Sequence, residues 1–161
     1  MNYKFLSICD KKIIKQAYEL YLDTYLQWGS FTPKSFDEFK QAYTTSNDYE
    51  PVFAFFNKNE FIGYGLIMCN YMQHQRLDIG YCVAQKQRQK GFGTQICKEL
   101  IRIAKVKYNP SLILADTFEN AISEKVLLKN GFKKAGKIPN YNMASGKPRS
   151  VTFFYLELTK H

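Results

Sequence analysis

The sequence predicts a single α+β domain, spanning residues 1–161, in which helices flank a mixed sheet of about six to seven strands. Three observations support this prediction. The length of 161 residues suits one domain with a full hydrophobic core. Hydrophobic residues make up 45% of the chain and charged residues 23%, as in ordinary globular proteins. The periodicity predicts strands in a run and then strand–helix alternation, with no internal repeat or linker.

The N-terminal third is predicted as one strand followed by two helices. Residues 3–9 alternate as a strand does. Residues 11–28 carry apolar and aromatic side chains at helical spacing, and Asp10 before them suits an N-cap. Residues 35–45 predict a second helix, opened by Ser35.

Three strands of the central sheet follow. Val52–Phe56 and Phe61–Met68 are apolar and rich in aromatic residues, and the four polar residues 57–60 between them are typical of a hairpin turn. Leu77–Val83 is the third predicted strand. Together these segments predict the middle of the sheet.

The C-terminal half alternates between helix and strand signals. Its predicted elements are a helix at 94–107 after a Gly-Phe-Gly turn, a strand at Ser111–Ala115, a helix at 120–130, and strands at Phe132–Ile138 and Val151–Leu158 separated by a turn-rich segment, Asn140–Pro148.

Composition excludes several classes of protein. No apolar run reaches the roughly 18–20 residues that a membrane span needs, and the N-terminus does not resemble a signal peptide. The cysteines form no Cys-x-x-Cys pair and lie in apolar segments, which favours reduced thiols in a cytoplasmic protein. Two histidines are too few for a multi-histidine metal site, so we expect no metal. The cysteines are Cys9, Cys69, Cys82 and Cys97, and the histidines are His74 and His161.

The net charge of +9 is concentrated in one stretch. Residues 81–137 contain 12 Lys and Arg residues against 4 Asp and Glu residues. A solvated basic surface and a patch that binds a polyanion both account for this excess.

The segment Arg88-Gln89-Lys90-Gly91-Phe92-Gly93-Thr94 lies between a predicted strand and a predicted helix. Its glycines permit a sharp turn and a close backbone approach, and the amides at a helix N-terminus favour an anion. This is the physical outline of a pyrophosphate site, although a glycine loop without a ligand has the same pattern. A dinucleotide-binding fingerprint would need a glycine where Ile96 stands. Residues 131–137 have the spacing of a P-loop, but Ile138 stands where a P-loop needs Ser or Thr.

Two motifs together resemble the GNAT superfamily of N-acetyltransferases. The Arg88-x-x-Gly91-x-Gly93 segment, with Val83 before it and an amphipathic helix after it, is similar to the superfamily's motif A. Downstream, Asn120–Phe132 is similar to the segment Asn-x-x-Ser/Ala…Gly-Phe. Asp78-Ile79-Gly80-Tyr81 and the serine of the second motif resemble the branch that contains the ribosomal-protein N-terminal acetyltransferases. The resemblance covers about residues 77–137.

This resemblance implies a GNAT acyl-CoA N-acyltransferase fold and acetyl-CoA as the cofactor. The pantetheine arm would run along β-strand residues 81–83, in a gap between this strand and Ser111–Ala115. The pyrophosphate would bind the amides of residues 89–94. A backbone amide at Cys82 or Val83 would polarise the thioester carbonyl. The implied cofactor-binding residues are Tyr81, Cys82, Val83, Arg88, Gln89, Lys90, Gly91, Phe92, Gly93, Thr94, Asn120, Ser123 and Lys129.

The resemblance also suggests catalytic roles. Many members of the superfamily use a tyrosine on the last helix as the acid, but Leu127 stands at that position here. Ser123 would then contact the thiol and stabilise the thiolate, unless it is only a first-turn polar residue. Asp78 is the candidate base, although pairing with Arg76 would explain it structurally, and Glu119 is a reserve.

The acceptor side is predicted from aromatic and polar residues outside these motifs: Trp28, Phe31, Tyr141 and Asn142. Simple burial of the aromatic residues is the alternative. The predicted activity is transfer of acetyl from acetyl-CoA to a primary amine by direct attack, in a monomer or homodimer. The amine is a protein N-terminus or a small amine, antibiotic or metabolite. A CoA-binding GNAT domain without turnover and a basic nucleic-acid-binding module are the alternatives; we expect no nucleic-acid or membrane partner.

Overall fold

The structure is a computed structural model, which describes residues 1–28, 32–45, 50–69, 76–119, 121–144 and 147–158. These residues form seven strands and four α-helices. In chain order the elements are β1 (Asn2–Phe5), α1 (Lys11–Trp28), α2 (Phe36–Thr44), β2 (Val52–Asn57), β3 (Glu60–Cys69), β4 (Arg76–Val83), α3 (Phe92–Tyr108), β5 (Leu112–Phe118), α4 (Ile122–Lys129), β6 (Lys133–Ala144) and β7 (Lys147–Glu157).

The strands form one mixed sheet in the order β1-β2-β3-β4-β5-β7-β6. All neighbouring strands are antiparallel except β4 and β5, which are parallel and joined through α3. The predicted α+β class and the mixed sheet are therefore confirmed. The parallel pair of β4 and β5 lies near the centre of the sheet, and every other pair of neighbouring strands is antiparallel.

The core has two layers, one on each face of the sheet. One hydrophobic cluster joins β2–β5 to α3 and α4, with Phe53, Phe55 and Leu100 among its buried residues. The other joins β2 and β3 to α1 and α2, with Ala17 and Phe39 completely buried. Burial of a side chain of this kind stabilises the fold by about 1.5–3 kcal/mol for Leu or Phe. Because β2 contributes to both layers, its residues 52–56 are all apolar and do not alternate with polar ones.

The predicted helix starts and the predicted hairpin are present. Helix α1 begins after Asp10, whose Oδ1 accepts a 2.9 Å hydrogen bond from the Ile13 amide. Ser35 and Glu38 form a reciprocal capping box at the start of α2. The turn between β2 and β3 places Lys58 at φ 47° and Asn59 at φ 67°, as a two-residue hairpin with the right-handed strand twist requires.

Two sequence predictions about strands were wrong. The predicted strand at residues 3–9 ends at Phe5, and a 3₁₀ turn follows because Leu6 turns into the core and is completely buried there. The predicted turn-rich segment Asn140–Pro148 instead lies largely in β6 and β7, which form a long hairpin. The pairing register of this hairpin shifts between Lys134 and Gly136 and between Ile138 and Asn142. Such irregularities place extra residues in one strand and interrupt the alternation of its side chains between the two faces.

Among the described residues, no helix combines the length and apolar character needed to cross a membrane.

A glycine sets the approach of β3 to the end of β4. Gly63 lies opposite Val83, and a Cβ placed on it would be 2.2 Å from the carbonyl oxygen of Cys82. That oxygen belongs to the backbone and cannot rotate away, so a side chain here would push the strands apart.

We therefore expect Gly63→Ala to lower the free energy of unfolding by about 1–3 kcal/mol, as overpacking does. Denaturant unfolding measures this loss. Gly136→Ala is the matched control, because no described atom lies within 4 Å of a Cβ at that exposed strand position. Equal losses in the two variants would show that the close approach at Gly63 is unimportant.

Candidate active site

A gap opens in the middle of the sheet between β4 and β5. Their parallel pairing joins Arg76–Asp78 to Leu112–Leu114 and ends there. Strand β4 then continues to Val83 and β5 to Phe118, and the final residues of β4 pair with β3 on the other side. Within the described part of the chain, the β5-facing edge of residues 79–83 has no partner strand. Polar backbone groups along this edge are thus available to a ligand.

The two faces of β4 meet different layers. Tyr81 and Val83 pack against the cluster that contains α3, whereas Cys82 packs against the cluster that contains α1. Asp78 has the same parity as Cys82 and therefore faces the α1 side. This is the orientation predicted for Asp78 from the alternation of the strand.

A loop with two left-handed residues connects β4 to α3. After a 3₁₀ turn at Gln85–Gln87, Gln89 adopts φ 64° and Gly91 φ 81°, and α3 begins at Phe92. The first amides of α3 have no carbonyl partner inside the helix and point out of its N-terminus. No described atom lies within 4 Å of the position of a Cβ on Gly91. The loop therefore leaves open space in front of several amide donors, which suits an anion.

The side chain of Arg88 turns away from this open space. Its guanidinium contacts Asp23 of α1 at 2.6 Å and donates from Nε to the carbonyl of Val83 at 3.1 Å. Lys90 donates to the buried Gln87 at 3.0 Å and stays beside the loop. The predicted role of Arg88 in cofactor binding thus rests on its backbone, and its charge serves to hold α1.

Helix α1 is tied to β4 by a second contact beside this ion pair. The hydroxyl of Thr24 donates to the sulfur of Cys82 at 3.4 Å. Burial raises the pKa of the Cys82 thiol, and the hydrogen bonds from Thr24 and Tyr64 offset this only in part. A thiol in this state is a poor nucleophile. Asp23 and Thr24 were missed by sequence reasoning, because no motif or spacing relates α1 to the end of β4.

Helix α4 carries Ser123 and packs on the same face of the sheet as α3. The helix begins at Ile122 after Ala121, so the capping position is Ala121 and not the neighbouring Asn120, which lies outside the described residues. Ser123 is half-buried; burial raises the pKa of Tyr81, and the nearby Ser123 hydroxyl lowers it in part. Leu127 is buried in the core and offers no proton.

Two contacts made by Asn130 fix α4 against α3. Its side-chain amide donates to the carbonyl of Thr94 at 3.3 Å and to that of Val126 at 2.9 Å. Lys129 is exposed on the last turn of α4. The first turn of α3 and the whole of α4 therefore form one wall of the cleft.

Two carboxylates lie where β4 and β5 part. Asp78 is half-buried and 3.7 Å from Arg76, so the structural role considered for it is present. Asp116 lies two residues beyond Leu114, the partner of Asp78, and has the parity of the α1 face. Asp116 is exposed as a residue, but partial desolvation of its carboxyl raises its pKa, and the charge of Asp78 raises the pKa further. Sequence reasoning missed Asp116, although it is a charged residue that interrupts a buried strand.

Glu119, the reserve base, is held in an ion pair. Lys137 donates to it at 2.9 Å, and this hydrogen bond lowers the pKa of the Glu119 carboxyl. A carboxylate that holds its charge so readily is a weaker base, which disfavours this role.

Two of the predicted acceptor segments, the end of α1 and strand β6, belong to elements that contact each other. Trp28 is the last residue of α1 and Asn142 lies on β6 opposite Arg149, but neither side chain is described. Phe31 lies outside the described residues. Tyr141 is exposed on β6, with its ring edge-on to Phe153 at 5.5 Å.

Known structures share this architecture along nearly the whole chain, at sequence identities that show the fold alone. A spermidine N-acetyltransferase from Vibrio cholerae, solved with CoA and spermine, aligns over 97% of this chain and 94% of its own, with a TM-score of 0.83 and 17% identity. A ribosomal-protein-alanine N-acetyltransferase from Brucella melitensis aligns over 98% and 100%, with a TM-score of 0.79 and 17% identity. A protein from Salmonella typhimurium described as the acetyltransferase yncA, solved with acetyl-CoA, aligns over 100% and 95%, with a TM-score of 0.79 and 20% identity.

Comparison of sequences finds one relative that matches over about half of the chain, and a family model that matches most of it. An uncharacterised N-acetyltransferase of Bacillus subtilis, YoaA, is 30% identical over 83 residues, which are 51% of this chain and 47% of that protein, so the match spans about half of each. The family model of the acetyltransferase (GNAT) domain matches residues 14–133, which include the split strands, the anion-binding loop and α4. With a match of that extent and the fold to support it, the chain belongs to the GNAT acetyltransferase family.

Proposed function

We propose that the protein transfers acetyl from acetyl-CoA to a primary amine by direct attack. The observation that carries the proposal is the gap between β4 and β5, which has amide donors at one end and carboxylates on the opposite face. A narrow ligand can bind to the backbone groups on the walls of such a gap. A second molecule can approach it from the α1 side.

The residues of the cleft fit CoA in charge and in hydrogen bonding. The amides at the start of α3 and the left-handed Gly91 suit a pyrophosphate, and Lys86 and Lys90 are exposed beside them. The free edge of residues 81–83 suits the amide groups of a pantetheine arm. The backbone N–H of Cys82 or Val83 is the candidate for stabilising an oxyanion. When bound, acetyl-CoA would supply the thioester carbon that the amine attacks.

The carboxylates at the split are suited to receive the amine. An aliphatic amine is mostly protonated at neutral pH, with a pKa near ~10.4 for lysine, and must lose a proton before it attacks. Asp78 is the proposed base, and Asp116 supports it. Partial desolvation and mutual repulsion raise the pKa of Asp116, which makes it a better proton acceptor than an ordinary aspartate. Two negative charges also attract a cationic acceptor.

Ser123 is proposed to stabilise the sulfur as it leaves. Its hydroxyl lies at the first turn of α4, next to Tyr81 of the split strand, where the end of the pantetheine arm would lie. Leu127, at the position of the family's tyrosine acid, is sealed in the core. A hydroxyl donor or a water is then the available source of a hydrogen bond to the thiolate.

The acceptor class proposed is a cationic primary amine. The similar structures include enzymes named for spermidine and for a ribosomal-protein alanine, both of which are amines. The basic stretch gives little support to the alternative of nucleic-acid binding. Three of its lysines already face glutamates, which lowers the charge available to a polyanion: Lys133 with Glu157, Lys134 with Glu124, and Lys137 with Glu119.

Gly91→Asp should abolish CoA binding, whereas Gly91→Asn should retain much of it. Both side chains tolerate the left-handed conformation of Gly91 and have nearly the same size, so the pair differs in charge. A carboxylate facing the pyrophosphate should cost at least about tenfold in affinity relative to the amide. Calorimetric titration with CoA measures the difference. Equal affinities in the two variants would contradict the assignment of the loop.

Asp116→Asn should raise the unfolding midpoint at neutral pH. Folding disfavours the charged Asp116 because its folded pKa is raised, so stability is lost as pH rises through that folded pKa. The loss is absent below the ordinary value of 3.8, where folded and unfolded carboxyls are both protonated. The gain from Asp116→Asn should therefore vanish in acid. Thermal unfolding from about pH 3 to pH 8 measures this profile. Asp37→Asn, in the exposed first turn of α2, is the control and should give no such gain.

Turnover is tested by release of free thiol from acetyl-CoA with spermidine, spermine and a peptide that begins with alanine. We expect at least one amine to be acetylated, and Asp78→Asn to lower kcat by about 10²–10⁴-fold, the range for loss of a general base. Asp37→Asn should retain wild-type kcat. CoA binding without thiol release from any amine would favour a CoA-binding domain without turnover.

A further inference from the structure

A groove lies between the edge strand β1 and the C-terminal half of α3, away from the cleft described above. Its volume is about 160 Å³, and its walls include the apolar side chains of Phe5, Phe53, Ile103 and Val106. A cavity of about 150 Å³ lined by side chains of this kind holds a benzene molecule. The groove therefore has room for one aromatic side chain of another molecule.

The walls of the groove leave apolar surface in contact with solvent. Phe5 is 41% exposed and Val106 is 77% exposed. The ring of Phe5 packs on the buried Phe53, with 5.0 Å between the two ring centroids, so the exposed ring continues a buried apolar floor. An apolar patch that is rimmed by polar residues is typical of a surface that binds a partner.

Basic residues border the groove on the α3 side. Lys98, Arg102 and Lys105 are exposed and follow one another at spacings of four and three residues, so they form a row on the helix surface, the basic row. Arg102 also lines the groove, where its guanidinium contacts Glu99 at 2.6 Å and the hydroxyl of Tyr3 at 3.3 Å. An apolar groove with this border is complementary to an aromatic side chain that has carboxylates beside it.

The charge of the chain disfavours two other occupants. The net charge is +9, so two copies of the chain repel each other. A polynucleotide binds through many phosphate contacts, whereas the basic row has three cations, and Glu99 already pairs with one of them. An acidic protein segment uses both the apolar groove and the basic row.

We propose that the groove between β1 and α3 docks an acidic segment of a partner protein, with one aromatic side chain in the groove and carboxylates beside the basic row. In the sheet, β1 is three strands away from β4, which is about 14 Å at the usual strand spacing. A docked partner consequently leaves the cleft open. The proposal does not depend on the acetyltransferase activity proposed above.

An amide NMR titration of the whole chain with the peptide Gly-Asp-Glu-Phe-Glu-Asp-Gly tests the proposal. We expect saturable shifts in β1 and in the C-terminal half of α3. Alanine in place of the phenylalanine of the peptide should weaken binding by about 10- to 100-fold, because the burial of that ring is lost. Lysine in place of its acidic residues should abolish binding. Equal affinities for the three peptides, or no saturable shifts in β1 and α3, would overturn the proposal.

Val106→Glu tests the same surface from the side of the protein. Glutamate suits this exposed helix position, and its carboxylate at the rim of the groove repels the acidic peptide, so binding should weaken by at least about tenfold. Leu128→Glu is the matched control, because Leu128 is an exposed apolar residue of α4 that does not line the groove. The control should bind the peptide like wild type, and circular dichroism checks that both variants fold. Wild-type affinity in a folded Val106→Glu protein contradicts docking at this site.

Two further measurements distinguish the other occupants. A wild-type dimer in sedimentation that Val106→Glu dissociates would assign the groove to a second copy and overturn the proposal, whereas a monomer agrees with it. A single-stranded oligonucleotide that displaces the peptide, with a steep dependence on salt, would assign the surface to nucleic acid and also overturn the proposal. Retention of the peptide in the presence of the oligonucleotide supports an acidic protein partner.

Discussion

The parallel pairing of β4 with β5 ends after three residue pairs, and the strands separate beyond it. If β4 and β5 stayed paired along their whole length, these backbone groups would hydrogen-bond to each other and leave no free edge for a ligand. Because the separation begins at Asp78, a carboxylate lies where the strands part, and the loop between β4 and α3 lies at the open end of the gap. The geometry of the whole site depends on this early end of one ladder.

Side-chain contacts hold the separated strand where backbone pairing with β5 has stopped. Arg88 reaches from the loop to Asp23, and Thr24 contacts Cys82, so α1 supports the end of β4 from one face. The ion pair is partly exposed and adds little to stability, but it joins α1 to the loop that follows β4. Gly63 allows β3 to approach the same segment closely. The free edge of β4, the loop that follows it and the end of α1 are therefore parts of one connected unit.

The two faces of the gap carry different chemistry. The face toward α3 and α4 offers amide donors and the half-buried hydroxyl of Ser123, which suit an anionic ligand. The face toward α1 offers Asp78 and Asp116, which suit a cation. Under the proposed function, this division would place the leaving group and the incoming amine on opposite sides of one sheet, an arrangement suited to direct attack between two bound molecules.

The sequence by itself determined the features that depend only on neighbouring residues. The caps at Asp10 and Ser35, the turn at Lys58 and Asn59, and the glycine loop follow from backbone preferences of a few neighbouring residues, and the sequence predicted them. It also predicted the orientation of Asp78, since strand parity is local. Tertiary structure alone decided the pairing of Asp23 with Arg88, the approach of Asp116 to Asp78, and the burial of the Tyr81 hydroxyl beside Ser123. It also extended β6 and β7 through a segment whose turn residues had predicted a loop. These contacts join residues far apart in the chain, and their partners are set by how strands and helices pack, which no periodicity or spacing along the chain encodes.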